Sequence, residues 1–290
     1  MFNSILFPDS SKNISTEIPA CFKDLNLDQV FTPIINIENE YDLTPYFYTP
    51  IQDVNTVLYR QEVQKDLDNK EIFELYDNFS RNIFKISKDM KSYAEEYKNN
   101  NKDYSSLISK GHMLNYAQQY VTEIENLLEK SGNLGIKSKG LTEFNEYLSE
   151  YVKTEKFNKF IEDTKEIRAL FDEKEYSLFI KNGTVKALKY NGEKDNREEV
   201  EELFGKFIEE DSKNYLKDFP DRPKSENIEN KILILLEKIY PKEFNLLDKF
   251  FASYLDFVND TLYKFSKEIR FFIGWKNFTE NLKDKVLNFW

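Results

Sequence analysis

Few residues of this chain carry groups that could act as metal ligands or nucleophiles. The 290 residues include a single histidine, His112, and a single cysteine, Cys21. A zinc site needs several such ligands in a cluster, and a reactive thiol needs a neighbouring base or another activating group. We therefore interpret His112 as a surface or partly packed side chain and Cys21 as a buried structural thiol. The sequence predicts no metal site, and one cysteine cannot form a disulfide within the chain.

The sequence also lacks a phosphate-binding loop. Its one Gly-Lys pair, Gly205-Lys206, is followed by Phe207, and Val200 stands where the first glycine of a Walker A motif would be. Acidic pairs such as Glu198-Glu199 are typical of the start of a helix, where carboxylates oppose the positive end of the helix dipole. The sequence therefore predicts neither a catalytic residue nor a cofactor in this chain, and no enzymatic activity of its own.

One short stretch departs from the acidic character of the chain. Residues 176–192 contain no Asp or Glu, and they include Lys181, Lys186 and Lys189. Two strand-like runs flank Asn182-Gly183, a dipeptide typical of the two-residue turn of a β-hairpin. The three lysines are therefore candidates for contact with nucleic-acid phosphates. Alternatively, they protect the edges of a small hairpin from aggregation. An acid-free stretch is not peculiar to the hairpin, because the loop 130–142 also contains no Asp or Glu.

Composition indicates a mainly α-helical chain. Only 8 Gly and 8 Pro are present, 16% of the residues are aromatic and 32% are charged, as expected for long helices that bury rings on one side. The net charge of −11 argues against a general nucleic-acid-binding protein, so any contact with DNA must be local. No run approaches the ~18 apolar residues that span a bilayer. We therefore expect a cytoplasmic protein with no membrane partner.

Helical patterns begin after an irregular N-terminal segment. Residues 1–48 are expected to lie on the core as short pieces, because prolines interrupt long helices there: Pro8, Pro19, Pro33 and Pro45. Asp53 is a candidate N-cap for the helix that follows. The apolar side of that helix is predicted to consist of Val54, Val57, Leu58 and Leu67. Further helices, one of them with heptad spacing from Leu114 to Leu128, complete a helical core over residues 49–140.

Two later segments predict long helices that pack against each other. Residues 141–172 and 242–273 each carry an apolar stripe with helical spacing, and each stripe needs a partner surface. We expect the two helices to run antiparallel, with the hairpin of residues 175–192 between their far ends. Asn196 and Glu199 predict a capping box for a further helix that ends near Glu210.

Several segments, in this order, resemble MutS-type DNA mismatch-repair proteins, above all the MutS-related branch that lacks a mismatch-reading domain. They are Cys21–Asp28, Tyr41–Tyr48, Tyr59-Arg60-Gln61, Asp66-Leu67, Gly140-Leu141 with Tyr147-Leu148, Glu226–Glu229 with Ile232-Leu233, Tyr240-Pro241 with Phe244, and Phe265–Phe271. The resemblance extends through nearly the whole chain.

The resemblance implies an arrangement of parts. Residues 1–48 would pack on a helical core of residues 49–140, residues 141–225 would hold an outgoing lever helix and a clamp with its hairpin at 175–192, and residues 226–290 would be the returning lever helices. The expected fold is mainly α, with long antiparallel lever helices on a helical core and a small inserted β-hairpin clamp. Such proteins continue into a dimerising ATPase domain whose motifs do not occur in this sequence. We therefore expect the core, lever and clamp part of a longer protein.

The resemblance also implies partners. The parent protein is expected to bind ATP and Mg, to form a homodimer, and to hold double-stranded or branched DNA, with weak contact through Lys181, Lys186 and Lys189 at the clamp tip. The acidic charge and the abundant aromatic residues leave an alternative open. In that alternative the chain is an acidic helical scaffold that binds a protein partner and makes no contact with nucleic acid.

Overall fold

The computed structural model describes residues 2–8, 14–99, 107–181, 184–192 and 225–286. Within these ranges the chain forms eleven α-helices and one two-stranded sheet, so the expected mainly α fold is confirmed. The helices are α1 Cys21–Asp24, α2 Asp28–Ile37, α3 Thr44–Tyr48, α4 Val54–Leu67, α5 Lys70–Asn99, α6 Leu107–Ser131, α7 Lys139–Tyr151, α8 Glu155–Asp172, α9 Ser225–Ile239, α10 Pro241–Ser253 and α11 Asp260–Val286; the strands are β1 Tyr176–Lys181 and β2 Thr184–Lys189. The helix predicted at 196–210 lies outside the described residues, as does most of the loop predicted at 98–103.

Helix α4 begins as predicted, but it faces the core with different residues. The Asp53 carboxylate caps the helix by accepting a hydrogen bond from the backbone N–H of Thr56 at 2.7 Å. The predicted apolar side is wrong for three of its four residues, since Val54 is 70% exposed, Leu58 51% and Val57 38%. The buried side consists of Thr56, Tyr59, Val63, Asp66 and Leu67. Polar residues belong to this side because they find partners inside the protein, as Asp66 does when it accepts from the backbone N–H of Ser138 at 2.7 Å.

The N-terminal segment contributes side chains to the core. Its first described residues bury Phe2, Ile5, Leu6 and Phe7, and the Phe2 ring packs edge-on against Phe144 at 5.2 Å. Pro33 was expected to interrupt a helix, but it lies inside α2. Helix α2 packs closely on α11, where Gly274 leaves room for Ile34.

Cys21 is exposed, so its interpretation as a buried thiol is wrong. The residue begins α1, a helix of only four residues in which Phe22 alone is buried. One turn of helix has a single side chain directed at the core, and in α1 that side chain is the Phe22 ring, which is larger than the Cys21 thiol.

Both predicted long helices are interrupted. The segment 141–172 breaks between α7 and α8, and the segment 242–273 breaks between α10 and α11. At each break a polar side chain caps the helix that follows: Thr154 accepts from the N–H of Phe157 at 3.3 Å, and Asn259 accepts from the N–H of Thr261 at 2.9 Å. The expectation of two continuous helices is therefore wrong, because the apolar stripe continues across each break and hides it.

The antiparallel packing of these helices is confirmed. Phe171 meets Phe244 at 5.3 Å between ring centroids, and Phe160 meets Tyr254 at 5.1 Å, so α8 and α10 run in opposite directions. On the other side of the breaks, the rings of Phe144 and Phe265 stack at 3.5 Å and join α7 to α11. The two helix pairs follow one another from the core towards the hairpin.

Candidate functional site at the hairpin

The hairpin has the register that its sequence predicts. Strands β1 and β2 are antiparallel, and they pair Tyr176 with Lys189 at one end and Lys181 with Thr184 at the other. The pairing leaves Asn182-Gly183 as the connection, and these two residues lie outside the described ranges. The hairpin follows α8 directly, so the orientation of α8 determines where the hairpin lies.

The base of the hairpin is attached to the start of α10. The Tyr240 hydroxyl donates to the backbone carbonyl of Glu175 at 2.6 Å, and the N–H of Tyr190 donates to the same carbonyl at 3.3 Å. Lys174 forms an ion pair with Glu243 at 3.4 Å. The end of α8 and the start of α10 are therefore tied together at the base of the hairpin.

The three candidate lysines do not form one patch. Alternation along the paired strands places Lys181 and Lys186 at positions of one face and Lys189 at a position of the other. Lys189 belongs to the base, about 17 Å along the strand from the turn at ~3.4 Å per residue. Its ammonium lies 5.3 Å from the ring centroid of Tyr240. Lys181 and Lys186 are thus the two lysine positions that share a face and lie closer to the turn.

Electrostatic interactions at the base involve Glu243 on α10. The pKa of its carboxyl lies below the usual range, first because its own backbone N–H donates to it at the helix start, and also because Lys174 and Lys189 are close. An ionised Glu243 offsets positive charge at the base of the hairpin. The strands themselves carry lysines and no acidic residue.

The two helix breaks lie side by side and form a joint, defined by Tyr120, Tyr147, Tyr151 and Asn259. The Tyr147 hydroxyl donates to Asn259 Oδ1 at 3.1 Å, and the Asn259 N–H donates to the Tyr120 oxygen, also at 3.1 Å. The Tyr120 and Tyr151 hydroxyls are 3.2 Å apart. Burial raises the pKa of Tyr120 well above its ordinary value, so its hydroxyl stays protonated. The joint connects α6 to both breaks by hydrogen bonds.

Below the joint, α11 is held in the core by buried charges. The Arg270 guanidinium is 1% exposed and donates to both carboxylate oxygens of Glu38, at 2.8 and 2.6 Å. It also donates to Asp77, which in turn accepts from Arg81 at 3.1 Å. Helix α11 is thereby joined to the N-terminal segment and to α5.

Glu268 makes a second buried connection from α11. Its carboxylate accepts from the Ser4 hydroxyl at 2.9 Å and from the N–H of Ile5 at 3.0 Å. Burial raises the pKa of the Glu268 carboxyl, partly opposed by Lys264 and by the hydrogen bonds from Ser4 and Ile5.

Several residues of the resembling segments prove to be internal anchors. The Tyr59 hydroxyl donates to the Ser4 carbonyl at 2.9 Å, and Arg60 Nε donates to the Leu6 carbonyl at 2.9 Å. Sequence reasoning gave these residues no role, because their partners are more than fifty positions away. The local signal for such a residue is a polar side chain on the side of a helix that faces the core, as at Asp66 and Glu268.

Neither a metal site nor a membrane span is found in the described ranges. No cluster of three or more His, Cys, Asp or Glu side chains there is arranged to hold a metal ion. No helix among those residues combines the length and apolar character that crossing a bilayer would need. His112 is accounted for locally, since its Nδ1 lies 3.1 Å from the Tyr93 hydroxyl.

Comparison with protein families gives a match over most of the chain. The family model of the MutS2 N-terminal domain matches residues 52–285. The chain belongs to the MutS2 N-terminal domain family. Searches of curated proteins and of solved structures found no match. The matched range of this MutS2 N-terminal domain runs from α4 through both helix pairs and the hairpin, so it includes the joint and the anchors on α11.

Proposed function

We propose that this MutS2 N-terminal domain is the non-catalytic core, lever and clamp of a MutS-like DNA-binding ATPase. It would couple the nucleotide state of a C-terminal ATPase domain to DNA contact at the hairpin. The observation that carries the proposal is the antiparallel packing of α8 on α10, together with the stacked rings that join α7 to α11. These helices connect a core held by buried ion pairs to a hairpin without acidic residues.

The coupling follows from the stiffness and length of the helices. Helix α8 has 18 residues, which corresponds to about 27 Å at ~1.5 Å per residue. A rotation of about 5° at the joint would move the hairpin by about 2 Å. Glu268 and Arg270 fasten α11 to the core through buried hydrogen bonds. A rotation of the core would therefore carry α11 with it and be transmitted to the joint.

The DNA contact would be local and independent of sequence. Lys181 and Lys186 share one face of the hairpin, where they suit the phosphates of a duplex. The net charge of −11 repels DNA from the rest of the molecule. Affinity at the tip is therefore weak, and a homodimer of the parent protein would supply a second point of attachment.

Fluorescence anisotropy with a labelled DNA duplex at low salt tests the proposal on the 290-residue chain. The variant Lys181→Glu/Lys186→Glu should lose most of the binding. The matched variant Lys137→Glu/Lys139→Glu makes the same charge change in the other acid-free stretch and should retain it. Equal losses in both variants, or no loss in the hairpin variant, would reject the clamp assignment.

The non-catalytic part of the proposal is tested with MgATP. The chain alone should not hydrolyse ATP, because the ATP and Mg expected for the parent protein would bind its ATPase domain. Turnover that follows the chain through purification and survives removal of contaminating ATPases would contradict the proposal.

A scaffold that binds a protein partner is the second candidate, and one observation favours it. Val54, Val57 and Leu58 form an exposed apolar strip on α4, and such strips often mark protein contacts. A stable protein partner that is lost in Val54→Lys/Leu58→Lys, together with no DNA retention at low salt, would favour the scaffold over the clamp.

A further inference from the structure

A cavity of about 440 Å³ lies on the core side of the joint, away from the hairpin. It opens between the N-terminal segment, α4 and α11. Its walls are mostly apolar, and they include the aromatic residues Phe22, Phe31, Phe47, Phe271 and Trp275. A volume of this size is within the range of small-molecule sites, ~300–1,000 Å³.

Arg60 is the one charged residue among those that line the cavity. Its guanidinium lies 4.6 Å from the ring centroid of Phe7 and 5.1 Å from that of Phe271. Nε donates to the Leu6 carbonyl, but Nη2 is buried and has no hydrogen-bond partner within the part of the chain that the structure describes.

Among the described residues, Arg60 has no carboxylate in contact with its charge. Burial lowers the pKa of Arg60 to about 10, opposed by attraction from Glu268 and Asp53 through space. In the described ranges no carboxylate forms an ion pair with it, whereas Arg270 on the neighbouring stretch of α11 has two. Stacking between two rings accounts for the position of the guanidinium, but it does not satisfy Nη2.

We propose that this cavity binds a small anion with a planar apolar body, such as an aromatic carboxylate or sulfonate. The aromatic walls would take the planar body by stacking, and Arg60 would receive the anionic group. Gln61 and Gln64, which also line the cavity, would offer further hydrogen bonds from α4. This site is independent of the hairpin and of the proposed clamp function.

Such a ligand would connect three parts of the molecule. Phe22 belongs to α1, Arg60 to α4 and Trp275 to α11, so the site exists only when the N-terminal segment is packed on the core. A ligand that binds only the folded chain raises its melting temperature.

The test compares two probes that share their aromatic rings and differ in charge. They are 8-anilino-1-naphthalenesulfonate and its uncharged analogue N-phenyl-1-naphthylamine, titrated into the chain with Trp290→Phe so that Trp275 alone reports energy transfer. We expect one saturable site with anion affinity about tenfold or more above that of the neutral probe. Arg60→Met should remove that preference and leave affinity for the neutral probe nearly unchanged.

A second variant keeps Arg60 and fills the cavity. Gln64→Phe should abolish energy transfer from Trp275 to both probes while circular dichroism and the melting temperature show an intact fold. It also decides the result if Arg60→Met fails to fold. Equal affinity for the two probes, non-saturable binding, or anion binding that survives Gln64→Phe would overturn the proposal.

Discussion

Arg270, Glu38 and Asp77 show what a buried charge contributes in this molecule. The guanidinium is enclosed by the core and hydrogen-bonded on both sides, and the centroid of the Tyr41 ring lies 4.9 Å away. A buried pair of this kind adds little net stability compared with apolar residues, but removal of one partner strands the other. Its effect is therefore to fix how α11 sits against the N-terminal segment.

We predict that Glu38→Gln lowers the free energy of unfolding by about 3 kcal/mol, because Arg270 loses its bidentate partner inside the core. Urea denaturation measures this value. The double variant Glu38→Met/Arg270→Met should lose less than Glu38→Gln alone, since Asp77 retains Arg81 as a partner. A double variant that is less stable than the single one would show that the pair itself stabilises the fold.

Glu268 gives a prediction about pH. Because burial raises the pKa of its carboxyl, the folded chain holds that proton more tightly than the unfolded chain does. The contribution of Glu268 to stability therefore falls as the pH rises from the ordinary glutamate pKa through the raised value. Relative to Glu268→Gln, the native chain should lose unfolding free energy as the pH rises above the ordinary glutamate pKa of about 4.3. A difference that is constant, or that changes in the opposite direction, would show that Lys264, Ser4 and Ile5 outweigh burial.

At the scale of elements, close approach between helices is set by glycine. A Cβ at Gly140 on α7 would lie 2.9 Å from Val63 Cγ2 and 3.1 Å from the Tyr59 hydroxyl on α4. Gly111, inside α6, has nothing within 4 Å of the same position. Gly140 lies in the first turn of α7 and Gly111 lies inside α6, and the two differ in what faces them.

We predict opposite effects of the same substitution at these sites. Gly111→Ala should stabilise the chain by about 0.5–1 kcal/mol, the usual gain in helix propensity. Gly140→Ala should destabilise it by about 1–3 kcal/mol, because α4 and α7 must move apart. Thermal unfolding of the two variants beside the native chain tests both signs. Stabilisation by Gly140→Ala would mean that the helices can separate without cost.

For the whole molecule, the distribution of charge determines how DNA could bind. The chain is acidic overall, the base of the hairpin is balanced by Glu243, and the lysine positions towards the tip share one face. Contact through so small a region releases few counterions from the duplex.

We therefore predict a shallow dependence of DNA affinity on salt. The slope of log K against log salt should be about −2 to −3 for the native chain, and Lys181→Glu/Lys186→Glu should reduce its magnitude by about 2. Anisotropy titrations between low and physiological salt measure both slopes. A slope far steeper than these values would indicate a wider DNA surface elsewhere on the molecule.

Much of this fold could be predicted where the cause is local. The Asp53 cap and the hairpin register each depend on neighbouring residues. The buried residues Leu114, Ala117, Val121 and Ile124 follow a helical period that is visible in sequence alone. For the same reason the mainly α fold class, which follows from composition and periodicity, was within reach of sequence analysis.

Tertiary structure alone decided the rest, because the partners are distant in sequence. The helix breaks at Thr154 and Asn259 lie within continuous apolar stripes, and the hydrogen bonds that hold Asn259 at the joint come from Tyr120 on α6 and Tyr147 on the opposite helix. Val54 and Leu58 are exposed because Tyr59, Val63 and the polar Asp66 meet partners contributed by other elements. The environment of Arg60 is set by three separated segments, and neither its buried Nη2 nor the aromatic cavity beside it has a signature in the residues around position 60.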